Sequence, residues 1–167
     1  LVQQAQQLPD VNYLGIEWAH EYWLHAADRL RRHGLTQVRM LHADATEFVR
    51  WHCIDALFRQ VHIYFPDPWP KKRHHKRRPI QAPFLRELHR LLQPGGMIRI
   101  VTDHDDYWQW IESHAEQVSN LFDRAPFERP GSADAGEIVG TNFERKYRRE
   151  GRPFHGLTLV RRKSPTA

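Results

Sequence analysis

Three prolines in five residues, Pro66, Pro68 and Pro70, follow the apolar run Val61 to Phe65 and force the chain out of any regular ladder there. The apolar run reads as a buried strand, and the proline segment after it must be loop. Between the first two prolines stands a single carboxylate, Asp67, and between the second and third stands Trp69. Lys71, Lys72, Arg73, Lys76, Arg77 and Arg78 come directly after, with His74 and His75 among them. A stiff acidic corner beside a dense cationic ribbon suits chemistry on a polyanion. Proline on both sides holds Asp67 in one backbone geometry, which favours a group that must meet its substrate in one pose. Trp69 offers a flat face for stacking on a base, although partial burial in a core is the commoner fate of tryptophan.

The rest of the chain alternates between two periodicities. Val11 to Glu17 and Val38 to Asp44 read as short strands, each ending in a carboxylate, and Leu57 to Phe65 as a third. Tyr22, Trp23, Ala26, Ala27 and Leu30 fall at helical spacing, with Gly34 placed to end that helix. A short helix fits residues 45–53. Phe84, Leu85, Leu88, Leu91 and Leu92 stripe a second strong helix, closed by Pro94-Gly95-Gly96 ahead of a strand from Met97 to Val101. Tyr107, Trp108, Ile111, Ala115 and Val118 stripe another. Residues 124–142 read as loop, Gly156 to Val160 as a last strand at an antiparallel edge, and the polar tail from Arg161 as frayed. Strands alternating with helices give an α/β sheet wound by right-handed crossovers.

Composition narrows the function classes. At 167 residues the chain is read as one domain, 1–167, large enough to bury a core. Six of the 25 Lys and Arg residues lie between 71 and 78, so the net charge of +5 is concentrated in one segment. That pattern fits a nucleic-acid partner, and on charge alone it fits a solvated run or a sorting signal equally well. The one cysteine, Cys53, excludes an internal disulfide and points to a reducing compartment. No apolar run approaches the roughly 20 residues of a membrane span, and residues 1–10 are polar, without a signal-peptide pattern. Twelve histidines are present, His62, His74, His75 and His104 among them, without a compelling metal-ligand spacing.

In wound α/β sheets, ligands bind beyond the carboxyl ends of the strands. Glu17, Asp44, Asp67 and Asp103 sit at or just past the ends of four successive strands, which lines them along one rim. Glu17, in Gly15-Ile16-Glu17, fits an acid that accepts both ribose hydroxyls of a nucleotide. Gly15 lets the backbone run close to a ligand or marks a simple strand kink. Asp44 suits the exocyclic amine of an adenine, and it equally suits the N-cap of the helix after it.

Phe65-Pro66-Asp67-Pro68-Trp69 with the basic run after it resembles the hallmark of bacterial tRNA (guanine-N7-)-methyltransferases. Gly15-Ile16-Glu17, His42-Ala43-Asp44-Ala45, Thr102-Asp103 and Thr141-Asn142-Phe143-Glu144 occur in that family's order, so the resemblance covers essentially the whole chain. It implies a Rossmann-like methyltransferase sheet, mostly parallel, with an antiparallel C-terminal edge strand. It also implies a cytoplasmic enzyme that moves a methyl group from S-adenosylmethionine to N7 of a guanine in the variable loop of tRNA. By matching positions, Glu17 and Asp44 would hold the cofactor, and Asp67 would be the catalytic-site acid, contacting cofactor and guanine. Lys71, Asp103, Thr141, Asn142, Phe143 and Glu144 would bind the substrate. Arg73, His74, His75, Lys76, Arg77 and Arg78 would contact RNA. No metal and no protein partner is implied.

N7 of guanine carries a lone pair and no proton, so transfer to it needs no general base, and this chain has no obvious His–carboxylate dyad. Asp67 is then an orienting and electrostatic group, able also to accept from N1–H and N2–H, with Glu144 a second candidate for the guanine edge. Asn142 stands where the family usually carries Lys or Arg. The family's first strand and its glycine-rich loop are expected ahead of Leu1. The chain is then read as a fragment of a longer protein or as a degenerate, inactive copy, the intact downstream motifs favouring a fragment. Either way the Val11–Glu17 and Leu57–Phe65 strands are left with unpaired edges. Two other readings stay open. One is a methyltransferase for an exocyclic amine, which Asp67-Pro68-Trp69 resembles loosely; the other is a non-catalytic RNA-binding module on the same scaffold.

Overall fold

The computed structural model describes residues 1–131 and 133–163 and divides into two compact units, Leu1–His52 and Cys53–Ala167. In the first unit, helix α1 (Val2–Gln7) precedes strand β1 (Tyr13–Glu17), helix α2 (His20–Arg32), strand β2 (Val38–His42) and helix α3 (Ala45–Trp51). β1 and β2 pair in parallel from Tyr13↔Val38 to Glu17↔His42. Parallel neighbours need a crossover, and α2 supplies it. Leu30 of α2 packs with Ala5 and Val38, flanked by Val2, Tyr13, Leu35 and Met40. Gly34 ends α2 as expected; its φ of 64° is a left-handed turn that a side chain would strain. A Cβ at Gly15 would meet the flexible end of the Met40 side chain, which packs against that position. Helix α1 has no signature in the sequence, because Val2-Gln3-Gln4-Ala5-Gln6-Gln7 has too few apolar positions to show a stripe.

The second unit carries a four-stranded sheet. Its elements are strand β3 (Phe58–Tyr64), a 3₁₀ helix (Lys72–Arg77), helix α4 (Ala82–Leu91), strand β4 (Leu92–Thr102) and helix α5 (Asp105–Glu116). Strand β5 (Phe122–Ala125), helix α6 (Asn142–Arg149) and strand β6 (His155–Arg161) complete it. The spatial order is β3-β4-β6-β5, with β3 and β4 parallel and β6 antiparallel to both its neighbours. The expected antiparallel C-terminal strand is therefore present. It lies inside the sheet, because β5, a four-residue strand inside a segment read partly as loop, pairs along its outer side. Among the described residues β1 and β3 each pair on one side only.

Leu85, Leu88 and Leu91 of α4, Ile98 and Ile100 of β4, Ile111 of α5, and Leu157 and Leu159 of β6 are all buried, forming the core of this unit. β4 begins earlier than the sequence suggests, at Leu92. The register against β3 shifts between the Phe58 and Gln60 pairs, so Gln93 to Gly96 bulge outward. Arg161 belongs to β6, and the polar tail beyond Lys163 lies outside the described residues. Gly96 closes the bulge, where a Cβ would come within 2.9 Å of the carbonyl oxygens of both Arg59 and Gln93. Backbone cannot yield as a side chain does, so Gly96→Ala should cost about 2 kcal/mol in urea unfolding. A loss under roughly 0.5 kcal/mol would show that the bulge relaxes freely.

Candidate active site and nucleic-acid interface

Where β3 ends, Phe65 donates its N–H to the Val101 carbonyl at 2.8 Å and turns with φ 53°. Trp69 turns again with φ 43°. Two non-glycine residues in the left-handed region within five positions mark a backbone that its surroundings must hold. Asp67, exposed between them, accepts the Trp69 N–H on Oδ1 at 3.0 Å. The Pro68 carbonyl accepts from Arg78 Nε at 2.8 Å.

Arg78 corrects an expectation. The motif places it with the RNA-contacting residues, yet its side chain is 1% exposed. Its guanidinium is ion-paired to Asp106 and lies over the rings of Tyr107 and Trp110, at 4.9 and 5.3 Å. The last cation of the ribbon thus turns inward and pins the proline turn. His75 is also half-buried, edge-on to Trp110, with Nε2 3.7 Å from Asp106. Lys71, Lys72, Arg73, Lys76 and Arg77 are exposed, and the guanidinium of Arg77 lies 4.9 Å over the Trp69 ring, with the His74 ring edge-on to it. The ribbon that reaches solvent is therefore smaller than the sequence suggests, and Arg77 and His74 pack on Trp69.

Asp103 directly follows β4, the parallel neighbour of β3, so Asp103 and Asp67 leave the same end of this sheet. Its half-buried carboxylate accepts from Arg152 Nη1 at 2.8 Å. Thr141 caps α6, accepting the Glu144 N–H at 3.1 Å. Threonine followed by glutamate three residues on is the capping-box pattern, a signal for α6 that is present in the sequence. Glu144 itself is fully buried. Its two oxygens accept the N–H groups of Ile138, Val139 and Gly140, and Arg148 pairs with it at 3.0 Å. This glutamate shapes the 138–140 turn, leaving no oxygen for a guanine edge. Asn142 lies near Arg145, and Phe143 is exposed.

In the first unit, Glu17 ends β1 and accepts the Ala19 N–H on Oε1 at 2.8 Å. Asp44 is the N-cap of α3: its Oδ1 accepts the N–H of Thr46 at 2.7 Å, the Thr46 hydroxyl and the Glu47 N–H. Burial alone would raise the Asp44 pKa, but these hydrogen bonds outweigh it and hold the carboxyl below its ordinary value. Trp18, beside Glu17, is largely exposed, and its carbonyl lies 2.9 Å from His42 Nε2. Among the described residues no group of three or more His, Cys, Asp or Glu is arranged to hold a metal ion. None of the described helices is long and apolar enough to cross a membrane.

A family profile described as "Putative methyltransferase" matches residues 1–157. The tRNA (guanine-N(7)-)-methyltransferase of Nitrosococcus oceani is 42% identical over 156 residues, 87% of this chain and 66% of that protein. That of Halorhodospira halophila is 38% identical, covering 94% of this chain and 68% of the relative. The chain belongs to the tRNA (guanine-N7-)-methyltransferase family. It spans about two thirds of these two relatives and about half of several others. A solved SAM-dependent methyltransferase from Aquifex aeolicus shares the fold, with TM-score 0.55 at 12% identity, over 89% of this chain and 68% of that one. Membership of the family and the methyltransferase fold are thus as the sequence motifs imply. The roles of Arg78 and Glu144 in bracing their loops are not legible there, because a motif shows residue type and not direction.

Arg78→Ala should cost about 2 kcal/mol at pH 7, chiefly through lost packing of its buried stem and plane. The Asp106 pairing adds a pH dependence. The hydrogen bond from Arg78 holds the Asp106 carboxyl below its ordinary value. A depressed carboxyl stabilises the fold above its unfolded pKa and loses that contribution as pH falls through the folded one. The stability gap between wild type and Arg78→Ala should narrow as pH falls below the ordinary aspartate value of about 4. A gap constant with pH would place the whole effect in packing.

Proposed function

We propose that the protein methylates N7 of a guanine in the variable loop of tRNA, with S-adenosylmethionine as the methyl donor, and that residues 1–167 belong to one methyltransferase domain. The observation that carries this reading is the exposed Asp67 carboxylate, fixed by the Trp69 amide on a turn clamped by Arg78, in a chain of this family. The fit of the cofactor rests on two carboxylates. Glu17 and Asp44 each spend one oxygen on their own turn, Oε1 and Oδ1, which leaves the other for a ligand. The second oxygen of Glu17 suits a ribose hydroxyl, and that of Asp44 an adenine amine.

When bound, S-adenosylmethionine supplies an electrophilic methyl group on a sulfonium. The guanine N7 lone pair forms the new C–N bond as the C–S bond breaks, and positive charge passes from sulfur to the guanine ring. No proton moves at N7, so the chain's task is orientation and charge placement. Asp67 favours the developing positive charge on the ring. Asp103 accepts from the donor edge of guanine, and Lys71, Thr141, Asn142 and Phe143 flank the substrate. Glu144 acts on the substrate only through the turn that it holds. Lys72, Arg73, Lys76 and Arg77 contact phosphates, with His74 beside Trp69. These contacts set affinity and position without reading bases. On this reading tRNA is the macromolecular partner and the cytoplasm the place of action.

The direct test is methyl transfer from labelled S-adenosylmethionine to unmodified tRNA by the full-length protein, with the product nucleoside identified by mass spectrometry. N7-methylguanosine is expected, and no methylated nucleoside overturns the proposal. Methyl transfer onto an exocyclic amine would favour the other enzyme class. Asp67→Ala should lower kcat at least about 100-fold, the scale of one lost electrostatic stabiliser. Because the side chain is exposed on a loop, its melting temperature should hold; unchanged turnover would remove Asp67 from the mechanism. Replacing Lys72, Arg73, Lys76 and Arg77 by glutamate should weaken tRNA binding and flatten its dependence on salt. Equal binding at all salt concentrations would exclude the ribbon as the RNA contact.

A further inference from the structure

Just past α6, Gly151 takes φ 68° and Arg152 donates its backbone N–H to the Tyr147 carbonyl at 3.2 Å. This turn lays the Arg152 side chain back over the helix. Its guanidinium lies 4.0 Å from the centroid of the Tyr147 ring. Nη1 donates to Asp103 Oδ2 at 2.8 Å, and Nη2 is 2.7 Å from Glu150 Oε2. A flat group thus sits on an aromatic face, with two N–H edges on two carboxylates. Phe65, the residue that opens the Asp67 turn, approaches the same tyrosine edge-on, ring centroids 6.4 Å apart.

Guanine contains the same planar unit. Its N1, C2 and exocyclic N2 form part of a guanidine, and N1–H and the 2-amino group donate from one edge. A guanine stacked on Tyr147, with N1–H on Asp103 and the 2-amino group on Glu150, would make each of the contacts that Arg152 now makes. Adenine cannot, because its N1 is an acceptor and would face a carboxylate. We propose that Tyr147, Asp103 and Glu150 form the guanine-recognition subsite, and that Arg152 occupies it as an internal stand-in for the base until substrate displaces it. This rests on the methyltransferase reading above and extends it to Tyr147, Glu150 and Arg152.

The stand-in is built to leave. The side chains of Arg152 and Glu150 are 43% and 42% exposed, while that of Asp103 is 11% exposed. Ion pairs at that exposure hold weakly, so a stacked base can replace the guanidinium. Meanwhile the pairing keeps Asp103 in the orientation that a guanine edge requires. Arg152 is then a specificity-determining competitor, and its removal should tighten guanine binding rather than loosen it.

The test measures dissociation constants of the full-length protein for GMP, IMP and AMP by calorimetry, beside the tRNA methylation assay. Arg152→Ala should lower the Kd for GMP about two- to fivefold, the range set by an exposed ion pair, and leave AMP unchanged. Arg152→Lys, which keeps the charge but cannot present a flat two-pronged edge, should change GMP binding in the same direction and less. Tyr147→Leu should raise the Kd for GMP about tenfold through lost stacking. IMP, lacking the 2-amino group, should bind several-fold more weakly than GMP. Weaker or equal GMP binding by Arg152→Ala, or no GMP binding by wild type and variant alike, overturns the proposal and makes Arg152 a brace of the turn. N7-methylguanosine from wild type with this nucleotide pattern absent sinks the subsite alone. The nucleotide pattern without methyl transfer to tRNA sinks the proposed reaction and leaves a guanine site.

Discussion

The hydrogen bond from Arg78 to the Pro68 carbonyl is the contact on which the shape of the acidic turn depends. Between Phe65 and Lys71 the three prolines donate no backbone hydrogen bond, and Phe65 and Trp69 sit in the left-handed region. Such a segment does not hold itself. Arg78 reaches it from the far end of the ribbon and is itself held by Asp106 and two aromatic faces. Burial of a guanidinium is tolerated because Asp106 neutralises it and its plane lies over the Tyr107 and Trp110 rings. The cationic run thus divides its labour: its last residue fixes the carboxylate, and its earlier ones face solvent.

Glu144 repeats the logic with opposite charge. A carboxylate without exposure is costly unless its lone pairs are filled, and three successive backbone amides together with Arg148 fill them. Those amides would otherwise be orphans in a stretch that has no ladder. In both places a charged residue inside a recognition motif is spent on shaping the backbone. Contact with substrate is then left to its neighbours.

Legibility in the sequence depends on what periodicity can carry. The apolar stripes of α2, α4 and α5 and the apolar runs of β1 to β4 are long enough to show their period, and the carboxylates at their ends can be placed from that alone. β5 is four residues with Asp123 and Arg124 at its centre, and α6 carries five charged residues in eight, so neither displays an apolar period. For α6 the Thr141-to-Glu144 spacing is a usable signal, masked by its reading as a substrate segment. The inward turn of Arg78 has no such signal. Six cations in eight residues look alike in sequence, and only the position of Asp106 and Trp110 on α5 distinguishes the last of them.

Three of the four strand-end carboxylates are aimed by one device. Glu17 accepts the amide of Ala19, Asp44 that of Thr46 and Asp67 that of Trp69, each two residues on. A bond to the chain's own next turn fixes the side chain locally and leaves the second oxygen to a ligand, so each is set before any ligand arrives. Asp103 has no such bond: the neighbouring His104 amide donates to the Thr102 hydroxyl, and the hydrogen bond that holds the Asp103 carboxylate comes from Arg152. A carboxylate without a local anchor needs a partner from elsewhere to hold its direction, and Arg152 is that partner. The same lack leaves both oxygens of Asp103 available once Arg152 withdraws. A planar base with donors on one edge meets that requirement, so the one carboxylate not anchored by its own turn is the one suited to reading the base.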